Sequence, residues 1–326
     1  MSGKRLYIVW YSHARRAETL TRELNAQVVF LFETRIKNRW LKPLRYMIQG
    51  WKTWHLLDRE RPSVVIAQSP PIFAPLTVAL WCKLHGKKRF TYVIDCHPGT
   101  FYDHHWRWAL WLLRLLARGA VVTTLCNEDA QYILKQWRVR GLFIPDGLPT
   151  MEPASGTIGS EGEARIALIS TFSQDEPIAE VFEAARKLPQ VTFYVTGNPQ
   201  RASSALLARK PANVVLTGFL RGSTYNGLLH NVHGILVLTN LANSLSCGAF
   251  EALSIVKPTI VSDMPEMRRC FPFGFIHVEN TPEAIAKGVE LLLSEQEPLT
   301  AEVMRLRDDY AARRQPKLEE FVTLLR

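Results

Sequence analysis

The sequence predicts an α/β protein of two doubly wound parallel-sheet domains, on three observations. Short apolar runs such as Val64-Val65-Ile66-Ala67 and Phe90 to Asp95 alternate with segments of helical period, and near-continuous apolar strands belong to parallel sheets covered on both faces. Turn-forming clusters close those runs at Ser69-Pro70-Pro71, Cys96-His97-Pro98-Gly99 and Pro145-Asp146-Gly147, where a strand hands over to its crossover. The alternation pauses once, at Met151 to Glu163 (MEPASGTIGSEGE), a composition typical of linkers. The expected division is a domain over 1–150, a linker over 151–163 and a second domain over 164–326, in keeping with about 100–200 residues per domain.

In the first half, strands are expected at Leu6 to Trp10, Val28 to Phe32, Val64 to Ala67, Phe90 to Asp95, Val121 to Leu125 and Leu142 to Ile144. Tyr11 to Arg16 reads as a polar loop before a helix from Glu18 to Leu24, and a further helix runs from Asp129 to Gln136. Arg35 to Lys52 reads as helical with a break near Pro43, since proline removes a hydrogen bond from a helix interior. In the second half, strands are expected at Ile166 to Ile169, Thr192 to Val195, Val214 to Thr217, Gly234 to Leu238, Thr259 to Val261 and Phe275 to Val278. Helices lie between them, among them Ile178 to Lys187, Ala249 to Ile255 and Pro282 to Leu293, the last opened by a Thr281 cap with proline at the first helical position.

The 47% apolar content supports two cores and argues against disorder. Five cysteines (Cys82, Cys96, Cys126, Cys247, Cys270) without C-x-x-C spacing suit a reducing compartment, with no disulfide frame or zinc site. Residues 1–5 lead straight into a strand without a signal-peptide pattern. Ser63 to Cys82 is uncharged for long enough to span a bilayer, but Gln68 and three prolines make it strand, loop and buried helix. A cytoplasmic protein is therefore expected, with the inner face of the plasma membrane as its place if it touches lipid.

The net charge of +10 concerns partners. Its densest part, Arg35 to Lys52, holds six cations and no acid, interleaved with Trp40, Tyr46 and Trp51. His104 to Arg118 mixes Trp106, Trp108 and Trp111 with three arginines. Cations with interfacial aromatics suit an anionic membrane surface; equally, the tryptophans can be core and the arginines a solvated face. Nucleic acid is disfavoured as a partner, because no RRM, KH or helix-turn-helix signature is present. Asp103, His104 and His105 suggest a metal, but adjacent histidines on a helix diverge, and no metal is expected.

The stretch from Gly234 to Asp263 (GILVLTNLANSLSCGAFEALSIVKPTIVSD) carries the chemistry. A strand feeds a small-residue turn, Asn240 to Gly248, with Ser244 and Ser246 as candidate N-caps. Unpaired N–H groups and the helix dipole make such a tip an anion site. Glu251, about one turn deeper, is placed to accept from a sugar hydroxyl, so diphosphate at the tip and ribose beside it is one interpretation. The other is an ordinary βαβ turn with a solvated glutamate. Neither half contains G-x-G-x-x-G or G-x-x-x-x-G-K-[ST], which disfavours ordinary dinucleotide and Walker sites.

Two such halves around a linker resemble a GT-B glycosyltransferase with two Rossmann-like domains. Ile144-Pro145-Asp146-Gly147 resembles the I-P-N-G segment that ends the first domain of the group-1 transferases (glycosyltransferase family 4), and Ser246 to Ser254 with Lys257 to Asp263 resembles their E-A-x-A-x-G-x-P-V-V-x-S signature. Ile169 to Ser173 with Asp175-Glu176 is also similar to dolichol-linked mannosyltransferases. The resemblance implies transfer of a sugar from a UDP-, GDP- or similar nucleotide sugar to a lipid-linked or polysaccharide acceptor, with no metal or cofactor; the group-1 likeness implies retention at the anomeric carbon, and the mannosyltransferase likeness leaves inversion open.

Residue by residue, the resemblance implies that Glu251 holds the ribose, as the second acid of an E-x₇-E pair. The first acid is replaced by Asn243, which would face the donor hexose. Backbone groups at Ser244, Ser246, Cys247 and Gly248 would meet the diphosphate, Phe219 and Leu220 would cover the base, and Thr171 would join them from the preceding strand end. The Arg and Lys usual after the second domain's first strand are absent from Ser170 to Pro177. Arg201, or Arg15 and Arg16 from across the cleft, are candidate substitutes. His97, at a strand's carboxyl end, matches a position whose histidine faces the donor sugar, and His13 lies on the acceptor side. Two other classes stay open: a degenerate GT-B subunit that binds nucleotide without turnover, and a GT-B sugar-nucleotide epimerase.

Overall fold

The computed structural model describes residues 3–33, 39–86, 90–125, 127–153 and 163–325. Most of the linker (154–162) and Cys126 lie outside them. The chain divides into two compact units, residues 1–147 with 313–326, and residues 148–312.

Unit 1 runs β1 (Arg5–Val9), α1 (Arg15–Glu23), β2 (Gln27–Phe30), α2 (Lys42–Glu60), β3 (Val64–Ser69), α3 (Phe73–Leu84), β4 (Thr91–Cys96), α4 (Gly99–Tyr102), α5 (Leu110–Ala117), β5 (Val121–Thr124), α6 (Asn127–Trp137) and β6 (Arg140–Phe143). Its six parallel strands are ordered β2-β1-β3-β4-β5-β6. Side chains alternate across the sheet: Leu6, Ile8 and Trp10 enter one core with α2, α3, α5 and α6, while Tyr7 and Val9 enter the other. Arg15 and Arg16 open α1 instead of ending a loop, which moves the helix start three residues earlier than expected.

Unit 2 runs β7 (Ala164–Leu168), α7 (Ile178–Lys187), β8 (Val191–Thr196), α8 (Ser204–Ala208), β9 (Val214–Gly218), α9 (Gly222–Asn231), β10 (Gly234–Val237), α10 (Cys247–Ser254), β11 (Thr259–Ser262), α11 (Pro265–Cys270), β12 (Ile276–Val278), α12 (Pro282–Ser294) and the first part of α13 (Gln296–Leu324), whose residues from Arg313 on belong to unit 1. Its strand order is β12-β11-β10-β7-β8-β9, all parallel. Read from β9, that is the 3-2-1-4-5-6 order of dinucleotide folds, whose ligands sit at the carboxyl ends where the winding reverses. The reversal falls between β7 and β10. Tyr310 of α13 belongs to the unit 2 core and Phe321 to that of unit 1. Met151, expected in the linker, is buried in unit 2.

No helix among the described residues is long and apolar enough to cross a membrane. The tryptophans are not uniformly core. Trp81 is fully buried, whereas Trp40, Trp51, Trp108 and Trp111 are exposed, so the expectation of a tryptophan core does not hold for those four.

Candidate functional site

At the reversal point of unit 2, three strand exits are drawn together by glycines. Gly197, at φ +98°, follows β8, and a Cβ there would lie 2.5 Å from the Ser170 carbonyl oxygen. Its N–H donates to Gly218 at the end of β9 (3.1 Å). Gly248, in the first turn of α10, lies so close to Ile169 that a Cβ would sit 3.0 Å from two of its side-chain carbons. A larger residue at Gly197 would meet backbone and push these exits apart, while one at Gly248 would press on the Ile169 side chain.

α10 begins at Cys247 with Ser246 in the N-cap position, extended at φ −76° and ψ 131°. The Ser246 side chain makes no cap hydrogen bond, and its carbonyl accepts from Ala249 N (3.0 Å). The positive end of the helix dipole lies at this tip. Ser244 is half-buried rather than a cap, and Asn243 is half-buried in the same turn. Cys247 is exposed and Gly248 buried. Glu251 is 6% exposed, and its Oε2 accepts from Tyr225 Oη of α9 at 2.6 Å. It is thus not the solvated glutamate of an ordinary turn. Lys257 of the signature donates to the carbonyls of His230 and Val232 at the end of α9 (3.0 and 2.8 Å). Burial lowers its pKa, and its role is to hold α9 beside α10.

Phe219, at the exit of β9, is exposed with the Arg221 guanidinium 5.0 Å over its ring, while Leu220 packs against the unit 2 core with Tyr225. Arg201 ends a short 3₁₀ turn after β8 and is exposed. Thr171 faces its own chain. The Glu176 carboxylate accepts from Ser170 Oγ (2.5 Å), from Thr171 N and Oγ1 (both 2.9 Å), and from Ser173 N (3.2 Å). Asp175 binds the other side of the reversal point: its carboxylate accepts from Thr239 Oγ1 (2.8 Å) and its carbonyl from Asn240 N (2.7 Å). Asn280 continues the belt, donating to the Thr239 carbonyl and to Asn240 Oδ1.

In unit 1 the strand ends hold a buried ion cluster. Arg16, 2% exposed, donates through Nε and Nη2 to Asp95 (2.9 Å each) and through Nη1 to Asp146 and the Ile144 carbonyl (2.8 Å each). Tyr7 Oη and Thr123 Oγ1 donate to the same Asp95. Burial works to raise the Asp95 pKa, but the Arg16 guanidinium and His97 together more than offset it and hold the carboxyl well below the usual range. Arg314 clamps the following residues, donating to the Pro145 carbonyl and, through two nitrogens, to Glu23 (2.7 Å each). The Ile144-Pro145-Asp146-Gly147 segment is therefore a clasp inside unit 1. Arg16, expected as a spare cation for the diphosphate, has its guanidinium engaged there.

His97 turns toward this cluster, its Nε2 3.4 Å from Asp95 Oδ2. His13 stacks on Phe30 and pairs with Glu18 at 3.2 Å; Arg15 lies 3.5 Å from the same carboxylate. Asp103, His104 and His105 occupy a turn, not a helix, so the histidine rings do not diverge but lie 3.8 Å apart. At the amino-terminal edge of the sheet an opening of about 410 Å³ is lined by Arg118, Arg138 and Arg140. α5 and α6 end there, so these cations answer helix carboxyl-terminal dipoles.

Sequence reasoning passed over Tyr225, Asp95 and the donor role of Thr239. Tyr225 has no motif around it. Asp95 ends an apolar strand, a position where a lone acid signals either chemistry or a buried ion pair.

No family model matches the chain, and no curated protein does. Solved structures share its fold. HepE of Anabaena in complex with UDP and glucose aligns with a TM-score of 0.72 at 12% identity, over 99% of both chains. Sucrose-phosphate synthase from Thermosynechococcus elongatus aligns at 0.71 and 11%, over 98% of both. A Listeria monocytogenes protein assigned as UDP-N-acetylglucosamine 2-epimerase aligns at 0.61 and 12%, over 92% of this chain and 91% of that one. The chain has the GT-B fold.

Proposed function

We propose that the protein transfers a sugar from a nucleoside diphosphate sugar to a lipid-linked or glycan acceptor. The observation that carries this is the buried Glu251 in α10 at the reversal point, one turn inside the helix start and tied to Tyr225. In this assignment the diphosphate lies against the first N–H groups of α10, where charge developing on the leaving group is met by fixed dipoles. Glu251 accepts from the ribose, Phe219 covers the base, and Asn243 faces the sugar. Several neighbours of like fold are glycosyltransferases, and HepE is a complex with UDP and with UDP-glucose, which supports a nucleotide-sugar donor. The group-1 resemblance adds retention, without a metal. The same resemblance makes His97 a candidate to act on the sugar.

The test is nucleotide binding by calorimetry over UDP, GDP and their sugars, followed by product analysis. Glu251→Ala is expected to weaken binding of the preferred nucleotide about 10- to 100-fold, the equivalent of a charge-assisted hydrogen bond of about 1.5–3 kcal/mol. Equal affinity in the variant would remove Glu251 from the site. Isomerised nucleotide sugar without transfer would favour the epimerase suggested by the Listeria neighbour. Binding without turnover would favour a nucleotide-binding subunit.

A further inference from the structure

Helix α2 is amphipathic in the reverse of the usual sense. A surface helix normally buries its apolar stripe. In α2 the residues buried against unit 1 are Gln49, Thr53 and Leu57. Gln49 Nε2 donates to the Leu31 carbonyl at 2.7 Å, and Thr53 Oγ1 accepts from Trp10 Nε1 at 2.9 Å. The solvent side instead presents Leu44, Met47 (70% exposed) and Trp51 (63%), a spacing of three and four residues that lines one face for about 10 Å, with Trp40 (77%) in the 3₁₀ turn just before the helix.

The stripe is not alone. Helix α3 packs on α2 and exposes Leu80 and Leu84, and α5 packs on α3 and exposes Trp111 (66%) and Leu115, with Trp108 just before it. Tyr46, Phe73 and Trp108 join the helices ring to ring, at 5.0 and 6.4 Å. A contiguous exposed apolar face of this kind marks an interaction site.

Its charge says with what. Lys42, Lys83, Arg107 and Arg114 are exposed among these residues, and α3, α5 and the first sixteen residues of α2 contain no acid. Lys52 is paired with Glu33 at 2.8 Å. Tryptophan prefers the boundary between headgroups and acyl chains, and lysine and arginine favour anionic headgroups. A protein partner or second copy would need acids to match these cations, and this chain is basic.

We infer that the α2–α3–α5 face of unit 1 docks on an anionic lipid bilayer, lying in its surface without crossing it. This goes beyond the donor assignment and stands on unit 1 alone. A lipid-linked acceptor would then be met at the surface the enzyme occupies.

The full chain is floated with phosphatidylcholine vesicles with and without phosphatidylglycerol, at low and high ionic strength. Binding is expected to the anionic vesicles and to fall with salt. Trp40→Ser/Met47→Ser/Trp51→Ser should weaken it at least about tenfold; these side chains are exposed, so circular dichroism and melting should match wild type. Lys42→Glu/Arg114→Glu should remove the preference for anionic lipid, each cation contributing about fivefold. Leu291→Ser, exposed on unit 2, should leave binding unchanged. Wild type that does not float, triple variants that float like wild type, or a wild-type dimer that the triple variant dissociates would each overturn the inference. Nucleotide calorimetry on the same samples separates this outcome from that of the donor assignment, because neither set of variants touches Glu251.

Discussion

The two sheets end in opposite electrostatic arrangements. At the carboxyl ends of unit 1, charges meet charges: Arg16 joins Asp95 and Asp146, and Arg314 joins Glu23. At the carboxyl ends of unit 2, Asp175 and Glu176 are met by backbone N–H groups and hydroxyls. A closed ion cluster gains from every group it already holds, and an incoming anion would have to compete with buried carboxylates for Arg16. Neutral donors around an acid instead fix loop shape without supplying a cation. The contrast gives the two rims different character: the loops of unit 1 are tied by charge pairs, and those of unit 2 by neutral donors around two acids, beside the helix start proposed to meet the donor.

The largest expected effect breaks the unit 1 side. Asp95→Asn leaves Arg16 with half of its charge compensation and should destabilise unit 1 by about 3–5 kcal/mol. Hydrogen exchange on peptides of β4 and α1 reads that loss locally, which a single melting curve for two units cannot. The pH dependence follows from the same carboxyl. Its folded pKa lies below the unfolded one, so its contribution is complete above about pH 4 and disappears as the pH falls further. Wild type should lose protection in unit 1 below about pH 4, and Asp95→Asn should be flatter there. A wild-type profile no steeper than the variant's would mean that the cluster does not hold the unit.

This comparison also shows what was legible in the chain. Buried parallel strands announce themselves by composition, so the twelve strands follow from runs such as Val64 to Ala67, whereas their order, and with it the reversal between β7 and β10, does not. The α10 start was legible because strand, small-residue turn and helix are adjacent in sequence. Partnerships between distant residues were not: Arg16 lies 79 residues from Asp95 and 128 from Ile144, and nothing local distinguishes it from a solvated arginine. Tyr225 stays invisible for the same reason, 26 residues from the carboxylate it binds. The exposed tryptophans reverse a fair expectation, since large aromatics are usually buried and only the buried Gln49 and Thr53 show which way α2 faces.

On the unit 2 side, Glu176→Ala removes the acceptor shared by two N–H groups and two hydroxyls. A loss of about 1–3 kcal/mol in unit 2 is expected, read by denaturant unfolding followed through exchange in β7. Loosening of the loop should also weaken nucleotide binding. Tighter nucleotide binding in Glu176→Ala would instead mean that the carboxylate stands where a phosphate goes, and would turn the belt from a support into a competitor.

The smallest effect sharpens the comparison most, because it separates shape from charge within the proposed ligand site. Tyr225→Phe keeps the ring and the Glu251 charge and removes only the hydroxyl that donates to Oε2. If Tyr225 serves to aim the carboxylate at a ribose hydroxyl, nucleotide affinity should fall about three- to tenfold, or roughly 1 kcal/mol. Preference for the ribonucleotide over its 2′-deoxy and 3′-deoxy counterparts should shrink with it, measured by calorimetry. A variant with wild-type affinity and wild-type sugar preference, beside a Glu251→Ala variant that has lost binding, would leave Glu251 in the site and reduce Tyr225 to packing between α9 and α10.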